Sequence, residues 1–329
     1  ILRQSSSAVG LAITADGKYF ASGNQDGTIH LWSRQGALLH HLKGHTAEVK
    51  ALAFSPNGQI LASVSQDKTA KLWTVNGTLL KTLDGHRDRV DAVDFSPDGQ
   101  TLATASWDGT VKLWDQNGHL LKTLRACGVT SSFSFSPDGA IMATGCLNDN
   151  LVKLWRRDGH FLKSLKGHKA AILSVHFSPD GQLIASSGSD RSIRLWQGDG
   201  TFLTTLLGHR SVVGDVAFSP DGQLLASVSS DRQVKIWQLS RSQGKTSGSL
   251  LTTLNGHTGP VRQVAFSPDG KTLITTSNDH TTLLWDLAIV LDNHKLLQAG
   301  CHWVRDYFQN HPAVKDDQQQ FCNSLTRAN

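Results

Sequence analysis

The stretch "ATASWDGTVKLWD", residues 103–115, reads as a hairpin, with apolar and small residues alternating on either side of a tight Asp-Gly turn. It carries two tryptophans, Trp107 and Trp114. The second has equivalents throughout the chain: Trp32, Trp73, Trp114, Trp155, Trp196, Trp237 and Trp285 recur at intervals of 41, with a last interval of 48. An aspartate stands six residues before each of them, at Asp26, Asp67, Asp108, Asp149, Asp190, Asp231 and Asp279. Gly-His pairs end in His45, His86, His168, His209 and His257, and "SPDG" or "SPNG" begins at 55, 96, 136, 178, 219 and 267, with "TADG" at 14. A period of this kind makes the chain an array of one supersecondary unit.

Each unit has the content of four short strands, here called a to d. In the second copy these are "VKALAFS", "QILASVS", "AKLWT" and "LLKTL", separated by "SPNG", "QDKT" and "VNGT". Pro56 presets φ at the second position of the first turn, and Gly58 can take a positive φ there. Strands of about five residues with turns every 8–12 residues imply an all-β fold. A period near forty with a strand-c tryptophan selects a β-propeller over a sandwich or barrel. The expectation is seven blades over residues 1–292 and a helical tail over 293–329.

The composition bounds the function. Of 329 residues, 18% are charged and 39% hydrophobic, which fits a folded, water-soluble chain. The net charge of +5 is scattered, a weak argument for a polyanionic partner. No apolar run approaches the ~20 residues of a membrane span; "LAIVL", 287–291, is the longest near the end. Cys127, Cys146, Cys301 and Cys322 show no metal-binding spacing, and a reducing, cytoplasmic setting with free thiols is the simplest expectation, although Cys127 and Cys146 fall close enough in the repeat to approach one another. The opening "ILRQSSS" has neither an initiator Met nor a signal peptide, so the chain is expected to be a piece of a longer protein.

On the repeated Trp, Asp, Gly-His and SPDG positions, the chain resembles the WD40-repeat family from residue 1 to about 290. The literal Trp-Asp pair occurs only at Trp114–Asp115 and Trp285–Asp286. The resemblance implies a buried polar tetrad in each blade, built from the strand-c Trp, a strand-b Ser or Thr, the Gly-His histidine and the turn aspartate. In blade 2 these are Trp73, Ser63, His45 and Asp67, and in blade 3 Trp114, Thr104, His86 and Asp108. Blades 5 and 6 would use Trp196, Ser186, His168 and Asp190, and Trp237, Ser227, His209 and Asp231; blade 7 would use Trp285, Thr275, His257 and Asp279. A buried carboxylate needs donors, and His with Ser or Thr supplies them. The repeated histidines and aspartates are therefore expected to be structural rather than catalytic.

Three departures stand out. Blade 1 has Gln4 where the histidine belongs. Blade 4 has Cys127 there, loses a residue before its first strand and gains one in "GCLNDN". Blade 6 carries "SRSQGKTSG", 240–248, whose composition suggests a mobile loop on the wider, bottom face.

Trp107 breaks a pattern in the other direction. Its equivalents are Gln25, Gln66, Asn148, Ser189, Ser230 and Asn278, all polar. The resemblance places this position on the narrow top face near the central channel, where members of the family bind peptides, and a lone aromatic among polar equivalents reads as a binding anchor. Strand-a positions that vary between blades lie on the same face. Lys50, Glu48, Arg89 and Asp91 put charge beside Trp107, Leu173 and Val212 are apolar, and Arg262 closes the ring. The expected partner is a protein or peptide, held with Trp107 and Leu173 as anchors; an upstream part of the same polypeptide is another candidate.

Nucleic acid ranks behind, since Lys71, Lys112, Lys153, Arg194 and Lys235 all stand two residues before the tryptophan, where their stems pack between blades and their heads reach solvent. No enzyme, metal or cofactor is expected: there is no GxSxG, HExxH or phosphate-cradling loop, and in "HHLKGH", 40–45, His45 is committed to its tetrad.

Residues 293–312 place Leu296, Leu297, Gly300, Cys301, Val304, Tyr307 and Phe308 at helical spacing, a helix expected to pack on the propeller. The phrase "LLQAGCHWVRDYFQ" is similar to a tail that follows WD40 arrays in large bacterial signalling proteins of NACHT or NB-ARC type, which implies a regulatory, autoinhibitory or sensor role beside an upstream nucleotide-switch ATPase or kinase. Ring closure is left open. Only Ile1 and Leu2 align with the end of a strand d, so either upstream residues or "LAIVL" would have to complete blade 7.

Overall fold

The computed structural model describes residues 1–291 apart from Ser5 and 243–244; the expected tail helix lies outside the described residues. Seven four-stranded antiparallel sheets form a closed ring. Blade 2 is representative: strand a is Val49–Phe54, b Ile60–Ser65, c Ala70–Thr74 and d Leu79–Leu83. The turns sit where their residues demand. Gly58 at the a–b turn has φ 69°, and Gly109 in the Trp107–Thr110 turn has φ 81°. A Cβ on Gly109 would lie 2.5 Å from the Cys127 carbonyl oxygen, so glycine is required there on two counts.

The core lies between blades. Trp73 and Trp196 are each 2% exposed, and the clusters mix strands b and c of one blade with strands a, b and c of the next: Ile29, Leu31 and Ala21 of blade 1 pack with Val49, Leu52, Leu61 and Trp73 of blade 2. Burial of this kind between neighbours, repeated round the ring, is what holds a propeller together.

Blade 7 draws on both ends of the chain. Its strands a to c are Val261–Phe266, Thr272–Ser277 and Thr281–Asp286, and its fourth strand is Leu2–Arg3, paired Leu2 to Thr282 and Arg3 to Thr281. The strand comes from the N-terminal side and not from "LAIVL". Gln4 extends the seam: its backbone N–H donates to the His280 carbonyl at 2.9 Å and its side chain to the Thr282 hydroxyl at 2.8 Å. "LAIVL" is a short helix, α1 (residues 287–291), started by Asp286, whose carboxylate accepts the Ala288 N–H at 3.0 Å. Leu287, Val290 and Leu291 of α1 pack on the blade 6 side of the core.

Two further expectations fail. The blade 6 insert is not a loose loop: strand c runs Val234–Ser242 and strand d Lys245–Leu254, paired out to Ser242 and Lys245. Polar residues suit a two-stranded ladder that projects beyond the sheet, and Arg241 ties it down through an ion pair with Asp180 of blade 5. Second, Cys127 and Cys146 are not free thiols but a disulfide, with Cα atoms 5.8 Å apart, well inside bridging distance. Among the described residues no helix is long and apolar enough to cross a membrane.

Candidate functional site

The tetrad residues come together in five blades with nearly the same geometry. In blade 2 the Trp73 indole N–H donates to the Ser63 hydroxyl at 2.8 Å, Ser63 meets His45 Nε2 at 2.8 Å, and His45 Nδ1 meets Asp67 at 2.7 Å. The same chain links Trp114, Thr104, His86 and Asp108; Trp196, Ser186, His168 and Asp190; Trp237, Ser227, His209 and Asp231; and Trp285, Thr275, His257 and Asp279. Burial lowers the pKa of His86, His168 and His257 against the pull of their aspartates. Burial also opposes ionisation of Asp108, but hydrogen bonds from Thr110, the Arg87 N–H and His86 outweigh it and hold the carboxyl down at about 2. Blade 1 keeps a shortened version, in which Ser22 accepts from Trp32 at 3.0 Å and donates to Gln4 at 3.2 Å. Blade 4 keeps only the Trp155–Thr144 bond, at 3.0 Å.

The variable residues have a common structural cause. In every blade the register between strands a and b slips just after the first buried residue of strand a, as between Val49 and Ala51, so the next residue is unpaired. Those seven bulge residues are Val9, Lys50, Asp91, Ser131, Leu173, Gly214 and Arg262, and all line the mouth of the central channel. A bulge re-aims its side chain away from the sheet. Here it frees one position per blade from the demands of pairing and core.

The channel mouth opens on a cavity of about 670 Å³, lined also by Arg89, Trp107 and Leu147. Glu48 lines a smaller adjoining recess with Lys50, Gln66 and Arg262; Val212 lines neither. Most of the charged groups are paired within the site. Lys50 meets Glu48 at 3.2 Å, Gln66 donates to Glu48 at 2.6 Å, and Arg262 donates to Asn278 at 2.8 Å. Trp107 is half-buried rather than a free aromatic face. Its indole N–H donates to Asp91 at 2.6 Å, and the Arg89 guanidinium lies 3.3 Å from its ring centroid while also pairing with Asp91. Burial pushes the Asp91 carboxyl up, against the pull of Lys50, Arg89 and the indole.

Deeper in the channel lie residues that the sequence reading did not single out. Strand a is an edge, and its outward N–H groups find acceptors on the neighbouring blade. Asp94 accepts from the Phe135 N–H at 3.0 Å, Ser132 from the Val175 N–H at 2.9 Å, and Asp215 from the Val264 N–H at 3.1 Å. His176 stands 3.4 Å from Asp215; burial works against its charged form, but Asp215 and Asp94 outweigh it and raise its pKa. Asp94 is pushed up to about 6 by burial, despite its backbone hydrogen bond and the positive His176. The only sign of these residues in the sequence was polarity at strand-a positions that are alanine in other blades. Leu147 was missed too, although the extra residue in "GCLNDN" that brings it to the mouth was visible.

Of the five basic residues before the tryptophans, Lys153 and Arg194 are partly exposed, whereas three do not reach solvent as expected. Lys71, Lys112 and Lys235 are buried and donate to the hydroxyls of Thr82, Thr123 and Thr253 on strand d of their own blades.

The family model described as WD domain, G-beta repeat matches the chain seven times, over residues 1–33, 36–74, 77–115, 118–156, 159–197, 200–238 and 248–286. Comparison with curated proteins gives no significant match.

Proposed function

The chain belongs to the WD40-repeat family, and from that premise we propose that it is a non-catalytic binding module whose channel mouth holds a segment of a protein partner. Propellers of this family are generally protein-interaction scaffolds. The observation that carries the finer reading is Trp107: the single aromatic at a position that is polar in every other blade stands at the mouth, held in one pose by Asp91 and Arg89. An aromatic ordered before binding loses little entropy on contact, which favours affinity. Leu173 and Leu147 line the same cavity and give it an apolar side, with Lys50, Arg89, Asp91 and Arg262 around it; an apolar centre with a polar rim is the usual anatomy of a protein interface.

The test is affinity capture from the source cell, comparing the wild-type chain with Trp107→Ala and Leu173→Ala, each first shown to melt like the wild type. Loss of the same partners from both variants, by about tenfold or more, is the expected result. Retention of every partner by both would remove the channel mouth as the site. A second reading, in which the module restrains an upstream nucleotide-switch domain in cis, rests on the similarity of residues 296–309 to a tail of such proteins. It predicts that the mouth engages the upstream chain itself, with no separate partner.

A further inference from the structure

Blade 4 departs from the repeat at three positions that lie together, with donor atoms within 4.8 Å of one another. Cys127 stands where other blades place the tetrad histidine. Cys146 ends strand b, where Ser65, Ser106, Ser229 and Ser277 stand elsewhere. Their sulfurs are bonded. Asp149, the tetrad aspartate by sequence position, is instead paired with Lys153 at 2.8 Å, and the same ammonium donates to the Ala126 carbonyl at 3.0 Å. A covalent bond thus does in this blade what the His–Asp hydrogen bond does in five others: it ties the loop between blades to strands b and c.

The tied loop reaches the channel mouth. Ala126 and Cys127 both donate their N–H groups to the Gly109 carbonyl, at 3.0 and 3.3 Å, in the turn that follows Trp107. Leu147, next to Cys146, donates its N–H to Val129 at 3.1 Å and lines the cavity with Trp107 and Leu173. Access is asymmetric: Cys146 is fully buried, whereas Cys127 is half-buried beside the exposed Gly128. An incoming thiolate therefore meets the Cys127 sulfur first.

We propose that Cys127–Cys146 is a reversible redox link that orders the blade 3–blade 4 side of the channel mouth; its bearing on binding rests on the function proposed above. A glutathione thiolate attacks Cys127 Sγ, the S–S bond breaks, and Cys146 leaves as a thiolate that takes a proton. A second glutathione attacks the mixed disulfide, releasing Cys127 as its thiol and glutathione disulfide as product. Two electrons pass from two glutathiones to the cystine, and glutathione disulfide drives the reverse. In the open form a thiol is a poor substitute for the histidine, and Asp149 remains with Lys153. The loop then keeps only its backbone bonds and the Lys153 contact.

The experiment uses the full chain carrying Cys301→Ser and Cys322→Ser, equilibrated in glutathione buffers of varied ratio. Differential alkylation read by intact mass gives the fraction linked, and hydrogen–deuterium exchange is followed in the same samples. The expected result is a cooperative shift of both cysteines together with the protein still folded. In the dithiol form, exchange over residues 125–131 and 145–148 rises about tenfold, the Trp107 turn follows, and strand a of blade 6 is unchanged. Cys127→Ser with Cys146→Ser should exchange like the open form in every buffer. A pair that stays alkylatable throughout, a link that opens only when the propeller unfolds, or equal exchange in the two forms would each overturn the proposal. So would stoichiometric zinc uptake by the reduced chain that protects the loop as fully as the disulfide, since Cys127, Cys146 and Asp149 bring donor atoms within 4.8 Å of one another. None of these readouts contains a partner, so their failure and that of the Trp107 capture are distinguishable.

Discussion

The ends of the tetrad and the burial of its histidine together set the proton order along it. The indole can only donate and the ionised carboxylate can only accept; with burial holding His86, His168 and His257 towards the neutral form, the hydroxyl donates to Nε2 and the imidazole proton sits on Nδ1 in those blades. That arrangement sets a pH dependence. For His86, His168 and His257 the folded-state pKa is depressed, so the unfolded chain binds protons more readily below its own pKa of about 6.5. Their contribution is complete above that value and is lost as pH falls through the folded pKa. His176, Asp94 and Asp91, with their pKa values raised, run the other way, but they are three groups against four, since burial lowers His30 as well. The urea midpoint should therefore be level between pH 7 and 8 and decline from pH 6.5 to 5. A midpoint unchanged at pH 5 would contradict the neutral-histidine assignment. A second decline is expected from pH 4 towards 2, as Asp108 and Asp279, both held at about 2, take up protons.

At the scale of the strand, the bulge in strand a separates two kinds of residue. Val49 is fully buried at the start of its strand, and Val49→Ala should cost about 2 kcal/mol or more. Its neighbour Lys50 is unpaired by the register slip, and Lys50→Ala or Arg262→Ala should change stability by no more than about 0.5 kcal/mol, measured by thermal melting. Comparable losses at Val49 and Lys50 would show that the bulge residue is part of the core after all. The same distinction explains what could be read in advance. Strands, turns and tetrads were legible because packing and hydrogen bonding impose the same residue on each blade at a fixed spacing. The bulge residues could be picked out as variable, but what they do to each other could not. The stacking of Arg89 on Trp107 depends on how the strand-a residues of blade 3 lie beside the turn, and spacing does not contain that. Cys127 and Cys146 were visible as a possible pair, but only backbone positions 5.8 Å apart decide it. The composition of the blade 6 insert does not decide its structure, because its polarity suits a solvated hairpin as well as it suits a loop.

At the scale of the ring, stability is a sum over blades and the seams between them, with one seam unlike the rest. Six blades draw all four strands from one continuous stretch, whereas blade 7 takes its fourth from Leu2–Arg3. Deleting residues 1–4 removes that strand together with the Gln4 bonds to His280 and Thr282, and leaves the Thr281–Asp286 strand as an open edge. The melting temperature should drop by about 5 °C or more, and exclusion chromatography should show self-association through the exposed edge. A monomer with the wild-type melting temperature would mean that packing between blades 1 and 7 closes the ring without the strand.

That seam also gives the molecule a direction of weakness. The strand Leu2–Arg3 runs antiparallel to Thr281–Asp286, so its first residue and α1 leave from the same end of blade 7. Tension applied between those two points loads the pairing as a zipper, one hydrogen bond after another, rather than shearing all of them at once. The circle therefore contains a mechanical fuse: pulled at Leu2 and α1, it would part at blade 7 while the other six blades still held their shape.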